Sequence, residues 1–396
     1  MTGSGSIRFG CDRVAEEPGR WVGAGRYAML TNDAATLAAD PTCTARVALQ
    51  RAGVSLVRLF SPEHGLEARG ADGAVIEDAL DPRTSLPVHS LYGVTFAPER
   101  RLLDDLDGVI IDLPDVGARF YTYLWCAYHT LLACAAAQTP VIVLDRPNPI
   151  GGVLDHAEGP MLDPMQASYL GARVMPIRHS LTLGELMRLW RHERTPTADL
   201  RVVPCEGWVR SKLWPDTRLP FVRTSPAIAN FASALCYPGT CLFEATNISV
   251  GRGTPWPFQW LGSPWLRSTE ALSVLADAAR AGVQFSTQRC SPDMAPYAGT
   301  SCNGVQWTVT DAHAIRPVAT SLLVIGIIAQ LHADHFRWAR YPTAANPSGE
   351  EHFERLVGRQ GIREALMAGV PSPKTLKAWT SIDDWKGRVA PHLLYE

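Results

Sequence analysis

The chain alternates short apolar runs with amphipathic stretches from Arg26 to Asp145. Arg26–Asn32, Val54–Phe60, Gly108–Leu113 and Pro140–Asp145 are dense in Val, Ile, Leu and Phe. Their length and turn-forming flanks predict buried strands. Between them, Pro41–Ala52, Pro98–Leu106 and Ala118–Gln138 predict helices. Strands apolar on both faces, repeated as β-α-β, imply an α/β fold with a mostly parallel sheet covered on both sides.

Leu181–His192 predicts a further helix, opened by Thr182 with Glu185 three residues on, the spacing of a capping box. That spacing gives Glu185 a structural role. Pro204–Phe231 is rich in Trp, Pro and Arg without periodicity and predicts a long ordered loop. Beyond it the pattern changes, so a boundary is placed near Ser233, giving an N-terminal domain over 1–233 and a smaller one over 234–396. The second part predicts a helix at Ser268–Ala281, a strand at Gly304–Thr310, a helix at Ala319–His332 and helical pieces from Glu350, a smaller α/β or α+β domain.

Composition narrows the class. The 396 residues are 46% hydrophobic and 19% charged, with a formal net charge of −2. A near-neutral chain without a basic run argues against nucleic acid as a partner. No apolar run reaches the ~18 residues of a membrane span, and Met1–Phe9 lacks the apolar core of a signal peptide. The expected compartment is the cytoplasm, with export open if a leader precedes this sequence. Nine cysteines without a Cys-x-x-Cys pair give no zinc ribbon or redox motif. Cys236 and Cys241 flank Tyr237–Thr240 and could bridge across a turn, but a reducing compartment keeps them as thiols. Gly23–Ala28 imitates a dinucleotide fingerprint but precedes a strand, so it is no phosphate loop, and no cofactor is implied.

The candidate chemistry lies where the strands end. Phe60-Ser61-Pro62-Glu63-His64-Gly65 places an acid and an imidazole on a tight loop. The other ends carry Thr31-Asn32-Asp33, Asp112-Leu113-Pro114-Asp115 and Asp145-Arg146-Pro147-Asn148-Pro149. Each alone reads as a cap or turn. Together, on one rim of a parallel sheet, they describe a ligand cleft.

Cys241–Thr254 concentrates Glu244, Asn247, Arg252 and hydroxyls between glycines that permit close backbone approach. Trp256, Phe258, Trp260 and Trp265 follow, some to stack on a sugar and some to fill the core. Glycoside hydrolysis needs an acid for the leaving oxygen and a second carboxylate, unless an N-acetyl group of the substrate takes the second role. Glu63 and Glu244 fit those parts. The rival chemistry is a metal-dependent amidase or esterase, with His64, Asp112, Asp115 and His179 converging on one ion, although no His-Glu-x-x-His pair is present. A serine hydrolase lacks its Gly-x-Ser-x-Gly elbow.

Longer motifs carry a resemblance. Phe60–Gly65, Leu86–Gly93, Asp115–Tyr123, Leu144–Pro149, Tyr237–Thr240 and Glu244–Thr254 occur in the order found in the exo-β-N-acetylmuramidases of the NamZ type, formerly a domain of unknown function, and the likeness runs from about Tyr27 to Tyr395. The resemblance implies a Rossmann-like domain, a smaller C-terminal domain and a cleft between them. It implies release of N-acetylmuramic acid from the non-reducing end of peptidoglycan fragments, with a muropeptide or amino-sugar disaccharide as substrate. The family's Pro-Glu-His-Gly glutamate falls on Glu63, with His64 beside it, and the Phe-Glu-x-Thr-Asn glutamate falls on Glu244.

Asn32, Asp115, Arg119, Tyr121, Arg146, Asn148, Asn247 and Arg252 are the expected substrate contacts. The lactyl carboxylate calls for an arginine, and Arg119, Arg146 and Arg252 are the candidates. Two positions depart from the pattern. His179-Ser180 stands where the family has His-Gly, and Thr224-Ser225-Pro226-Ala227 stands for Pro-Ser-Pro-Asn. The altered loop 222–234 keeps open a third reading, an inactive binder of cell-wall fragments.

Overall fold

A computed structural model of the protein describes residues 6–277 and 281–396. The strands are β1 (Tyr27–Thr31), β2 (Leu56–Ser61), β3 (Ala79–Leu80), β4 (Pro87–Ser90), β5 (Gly108–Asp112), β6 (Val141–Leu144), β7 (Leu200–Val203), β8 (Trp260–Ser263), β9 (Val283–Cys290) and β10 (Cys302–Val309). The first seven form one sheet in the order β3-β4-β2-β1-β5-β6-β7. All its pairings are parallel except β3 with β4. Without the antiparallel edge strand β3, this is the strand order of a doubly wound Rossmann sheet, whose direction of progression reverses between β1 and β5. The expected parallel α/β sheet is present. β8, β9 and β10 form a separate antiparallel sheet in the order β8-β10-β9, so the C-terminal part is α+β.

The four predicted strands form as β1, β2, β5 and β6. β1, β5 and β6 are buried on both faces, as their unbroken apolar runs required, while β2 is half-buried at Val57 and Arg58. The helix Thr122–Ala137 lies on one face and Leu183–Arg194 follows β6. Thr182 and Glu185 close the expected capping box. The stretch Pro98–Leu106 departs from expectation, with only a 3-10 turn at Arg100–Leu102. Its acids serve tertiary contacts instead: Asp105 accepts from Arg26 and Arg58, and Asp107 from the Arg26 amide. The helix Ser268–Asp277 starts where predicted; residues 278–280 of that prediction lie outside the described residues. Tyr237–Thr240 is not a free turn. It is the last turn of a helix, Phe231–Thr240, which also contains Ser233, and Cys236 and Cys241 are thiols.

One apolar cluster runs from Ala28 and Phe60 through Trp125 and Tyr237 to Leu322, Trp385 and Val389. It joins the large sheet to the C-terminal helices. The helix Phe231–Thr240 meets Pro317–Leu331 at Gly239, where a Cβ would lie 2.0 Å from the Pro317 carbonyl oxygen. The closing residues return to the first sheet, where the Tyr395 hydroxyl donates to Asp145 and the Leu394 amide to Glu185.

Ser180 takes a left-handed φ of 59° and is fully buried, with no partner for its hydroxyl. That geometry explains the glycine expected there, because a Cβ in this region costs roughly 1–2 kcal/mol. The substitution Ser180→Gly is therefore expected to stabilise the protein by about 1 kcal/mol after the entropy of the freer glycine is deducted. Denaturant titration should show a higher midpoint at unchanged slope; a lower midpoint would refute the strain.

Candidate active site

The site forms on the loop after β2, next to the reversal point of the sheet. Pro62 and the left-handed pair His64 (φ 66°) and Gly65 (φ 71°) turn the chain as soon as the strand ends. The loop folds back until the Gly73 amide donates to Glu63 Oε1 at 2.8 Å. Thr122, the first residue of its helix, donates its hydroxyl to Oε2. Both carboxyl oxygens are thus fixed, and Glu63 is 7% exposed. His64 Nδ1 lies 2.8 Å from the Gly70 carbonyl, which can only accept, so Nδ1 carries a proton.

Asp72 is the close neighbour. Glu63, His64 and Asp72 each present a polar atom within 4.8 Å of the others. Asp72 Oδ1 accepts from Arg252 Nη2 at 3.2 Å, and Oδ2 accepts from the Tyr341 hydroxyl. Tyr341 stacks on His352 with ring centroids 4.7 Å apart. The Ala344 amide donates to Gly73 O at 2.7 Å, so the C-terminal part braces the loop. Arg252 in turn reaches Glu244 Oε1 through Nη2 at 2.7 Å and Nε at 2.9 Å, while Cys241 Sγ donates to Oε2.

These surroundings push the two neighbouring acids apart. Burial, followed by the charge of Asp72, raises the Glu63 carboxyl above the usual range; His64, Thr122 and Gly73 oppose this only in part. Asp72 also loses water, but Arg252, His64 and Tyr341 outweigh that cost and hold it below the usual range. A carboxyl that holds its proton more tightly than usual therefore stands beside one that holds it less tightly, the arrangement that separates acid and base roles. Burial raises Glu244 too, with Asp72 adding to the rise and Arg252 opposing it. Glu63, His64, Asp72, Tyr121, Thr122 and Arg252 line a cavity of about 30 Å³, walled by Phe120, Ser225, Ile228, Tyr237 and Phe258.

Residues 27–232 match the family model described as "Exo-beta-N-acetylmuramidase NamZ, N-terminal", and residues 235–395 match its C-terminal counterpart. The chain belongs to the NamZ family. The peptidoglycan beta-N-acetylmuramidase NamZ of Bacillus subtilis (strain 168) is 35% identical over 363 residues, which are 92% of this chain and 85% of that one. Two crystal structures of DUF1343 family proteins from Bacteroides fragilis NCTC 9343 share the fold. One superposes with a TM-score of 0.86 at 26% identity, covering 98% of this chain and 99% of the other. The second gives 0.75 at 25% identity, covering 99% of both.

Not every residue expected from the NamZ motifs reaches this cavity. Glu63, His64, Tyr121 and Arg252 do. Glu244 stands behind Arg252 with both oxygens taken, so the carboxylate facing Glu63 is Asp72, which the sequence reading missed. Arg119 does not line this cavity: fully buried, it donates to the carbonyls of Pro160, Met175 and Leu356, and burial lowers its pKa to about 9. Asn148 is spent on the Leu181 carbonyl and Ile150 amide. Asn247 is spent on the His335 carbonyl and Arg337 amide. Asn32 turns the chain after β1, accepting from the Ala34 amide.

Arg146 pairs with Asp112, lies over Phe9, and lines a separate apolar groove with Asp115, Trp214 and Phe221. Asp115 Oδ2 accepts from the Gly117 amide and lies 3.2 Å from His179 Nε2. His64, Asp112, Asp115 and His179 therefore do not gather on one ion. Phe258 walls the active cavity, whereas Trp260 is core, its ring lying over Gly262 and Gly304.

Replacing Arg252 by Met leaves Asp72 and Glu244 buried without their shared cation. Breaking a buried pair this way costs about 3–5 kcal/mol. In the variant both acids have folded pKa values above their unfolded ones. The deficit should therefore be smallest near pH 4 and grow as pH rises through the folded values. Denaturation at pH 5 and pH 8 tests this, and a deficit independent of pH would count against the shared-cation role.

Proposed function

We propose that the protein is an exo-acting β-N-acetylmuramidase that removes N-acetylmuramic acid from the non-reducing end of peptidoglycan fragments, with Glu63 as the general acid. The observation that carries this is the pairing of a raised, immobilised Glu63 with an ionised Asp72 in one polar cavity. Family membership and the activity of the Bacillus subtilis relative supply the reaction class and the substrate. A glycosidic oxygen leaves poorly as an alkoxide, so a proton must reach it as the bond to the anomeric carbon breaks. The Glu63 oxygens sit between Thr122 and Gly73, which hold the carboxyl group in place. His64 packs against the same acid and limits the rise in its pKa.

Glu63, His64 and Asp72 also make the best metal-capable cluster among the described residues, and this favours metal-assisted hydrolysis as the second reading.

Glu63→Gln should lower kcat by about 10²–10⁴-fold with little change in KM. Release of free N-acetylmuramic acid from the muramyl-glucosamine disaccharide is the measurement, and a fully active variant would remove Glu63 from the role. Wild-type activity should fall as pH rises through the Glu63 pKa, since only the protonated form donates. Chelation is expected to leave the rate unchanged; a loss reversed by zinc would transfer the chemistry to a metal.

A further inference from the structure

We propose that Asp72 is a catalytic residue that binds the substrate's 2-acetamido N–H, making the acetamido oxygen the nucleophile at the anomeric carbon. This rests on the muramidase reading above. Three observations on the cluster support it.

The first is distance. Polar atoms of Glu63 and Asp72 lie within 4.8 Å, whereas carboxyl groups that activate a water across the sugar stand about 6.5–9.5 Å apart. The second is occupancy. Both Asp72 oxygens already accept from strong donors, Arg252 and Tyr341. Such a carboxylate is a weak nucleophile but still has lone pairs for an N–H. The third is access. The Asp72 side chain is 23% exposed and borders the cavity, while Glu244 is 6% exposed and screened by Arg252.

The step balances without a co-reactant. Glu63 gives its proton to the glycosidic oxygen as the bond to the anomeric carbon breaks. The acetamido oxygen forms the new bond to that carbon, and Asp72 takes the N–H proton, leaving a neutral oxazoline. Water then adds to the anomeric carbon and yields a proton to Glu63. The ring oxygen bond opens, Asp72 returns its proton to nitrogen, and both acids regain their starting states.

The groups facing the pair come from several elements. His64 shares its loop, and Tyr92 and Tyr123 face Glu63 from the segments after β4 and β5. Arg252, Glu244, Tyr341 and His352 face Asp72 from the C-terminal part. The Asp72 charge is among the influences that keep Glu63 protonated, so its removal should shift the high-pH limb of kcat toward lower pH.

The test uses aryl β-N-acetylmuramides whose acetyl group carries zero to three fluorines, which weaken the carbonyl as a nucleophile. Wild-type kcat should fall with each fluorine. Asp72→Asn should lose about 10²–10³-fold in kcat, lose most of the fluorine dependence and move the limb. A rate indifferent to fluorine in the wild-type enzyme overturns the proposal, and this arm needs no variant to fold. Asp72→Asn with wild-type kcat overturns it as well. If the wild-type enzyme releases no sugar even from the unfluorinated compound, the muramidase reading fails and the role of Asp72 falls with it.

Discussion

One guanidinium holds the chemistry together. Arg252 comes from the C-terminal part, yet it contacts Asp72 on the loop after β2 as well as its own neighbour Glu244. Without that cation two buried carboxylates would lose their compensation, and Asp72 would lose its reason to stay ionised beside Glu63. The acid-and-base division of the site is therefore a product of both halves of the chain. The stacking of Arg252 over Phe258, at 5.0 Å, fixes the guanidinium on its remaining side.

The backbone frame for this arrangement follows from the doubly wound sheet. Strands pointing the same way deliver their carboxyl ends to one rim, and the reversal between β1 and β5 opens a crevice there. Most of the rim's polar groups are then consumed by the frame. Asp33 pairs with Arg46, Asp112 with Arg146, and Asp145 accepts from Thr182, Gly184 and Tyr395. Burial lifts Asp145 to about 6, and the contacts with Tyr395, Thr182 and Gly184 oppose that rise. Among the described residues the rim still offers the end at Glu63, together with Asn32 Nδ2 and Asp115 Oδ1, which have no partner.

Legibility in the sequence followed burial. The strands β1, β5 and β6 were readable because they are apolar on both faces, and β2 because Arg58 is the one charge in an otherwise apolar run. β9 was not, since its buried and exposed positions lack a strict alternation. Short β4 and β7 gave too few positions for a period to show. In the site, Glu63 announced itself through Pro62 and Gly65. Asp72, between Gly70 and Gly73, carried a weaker version of the same signal and was passed over. Arg119, Asn148 and Asn247 lie away from the cavity for a different reason: a motif position does not say whether a side chain's donors face a ligand or a neighbouring carbonyl. Glu244 was misplaced because its separation from Glu63 depends on packing between distant segments.

The apolar cluster that runs unbroken from Ala28 to Val389 limits how a substrate can enter. Hinge-like separation of the two halves would expose that cluster to water at about 25 cal/mol for every Å². The segment from Thr224 to Ile228, which borders the cavity, is tied into the same frame: Ala227 and Ile228 belong to the cluster, and Tyr123 donates to the Thr224 carbonyl. The two halves therefore act as one clamped body, and the cavity between them is a fixed feature of the fold.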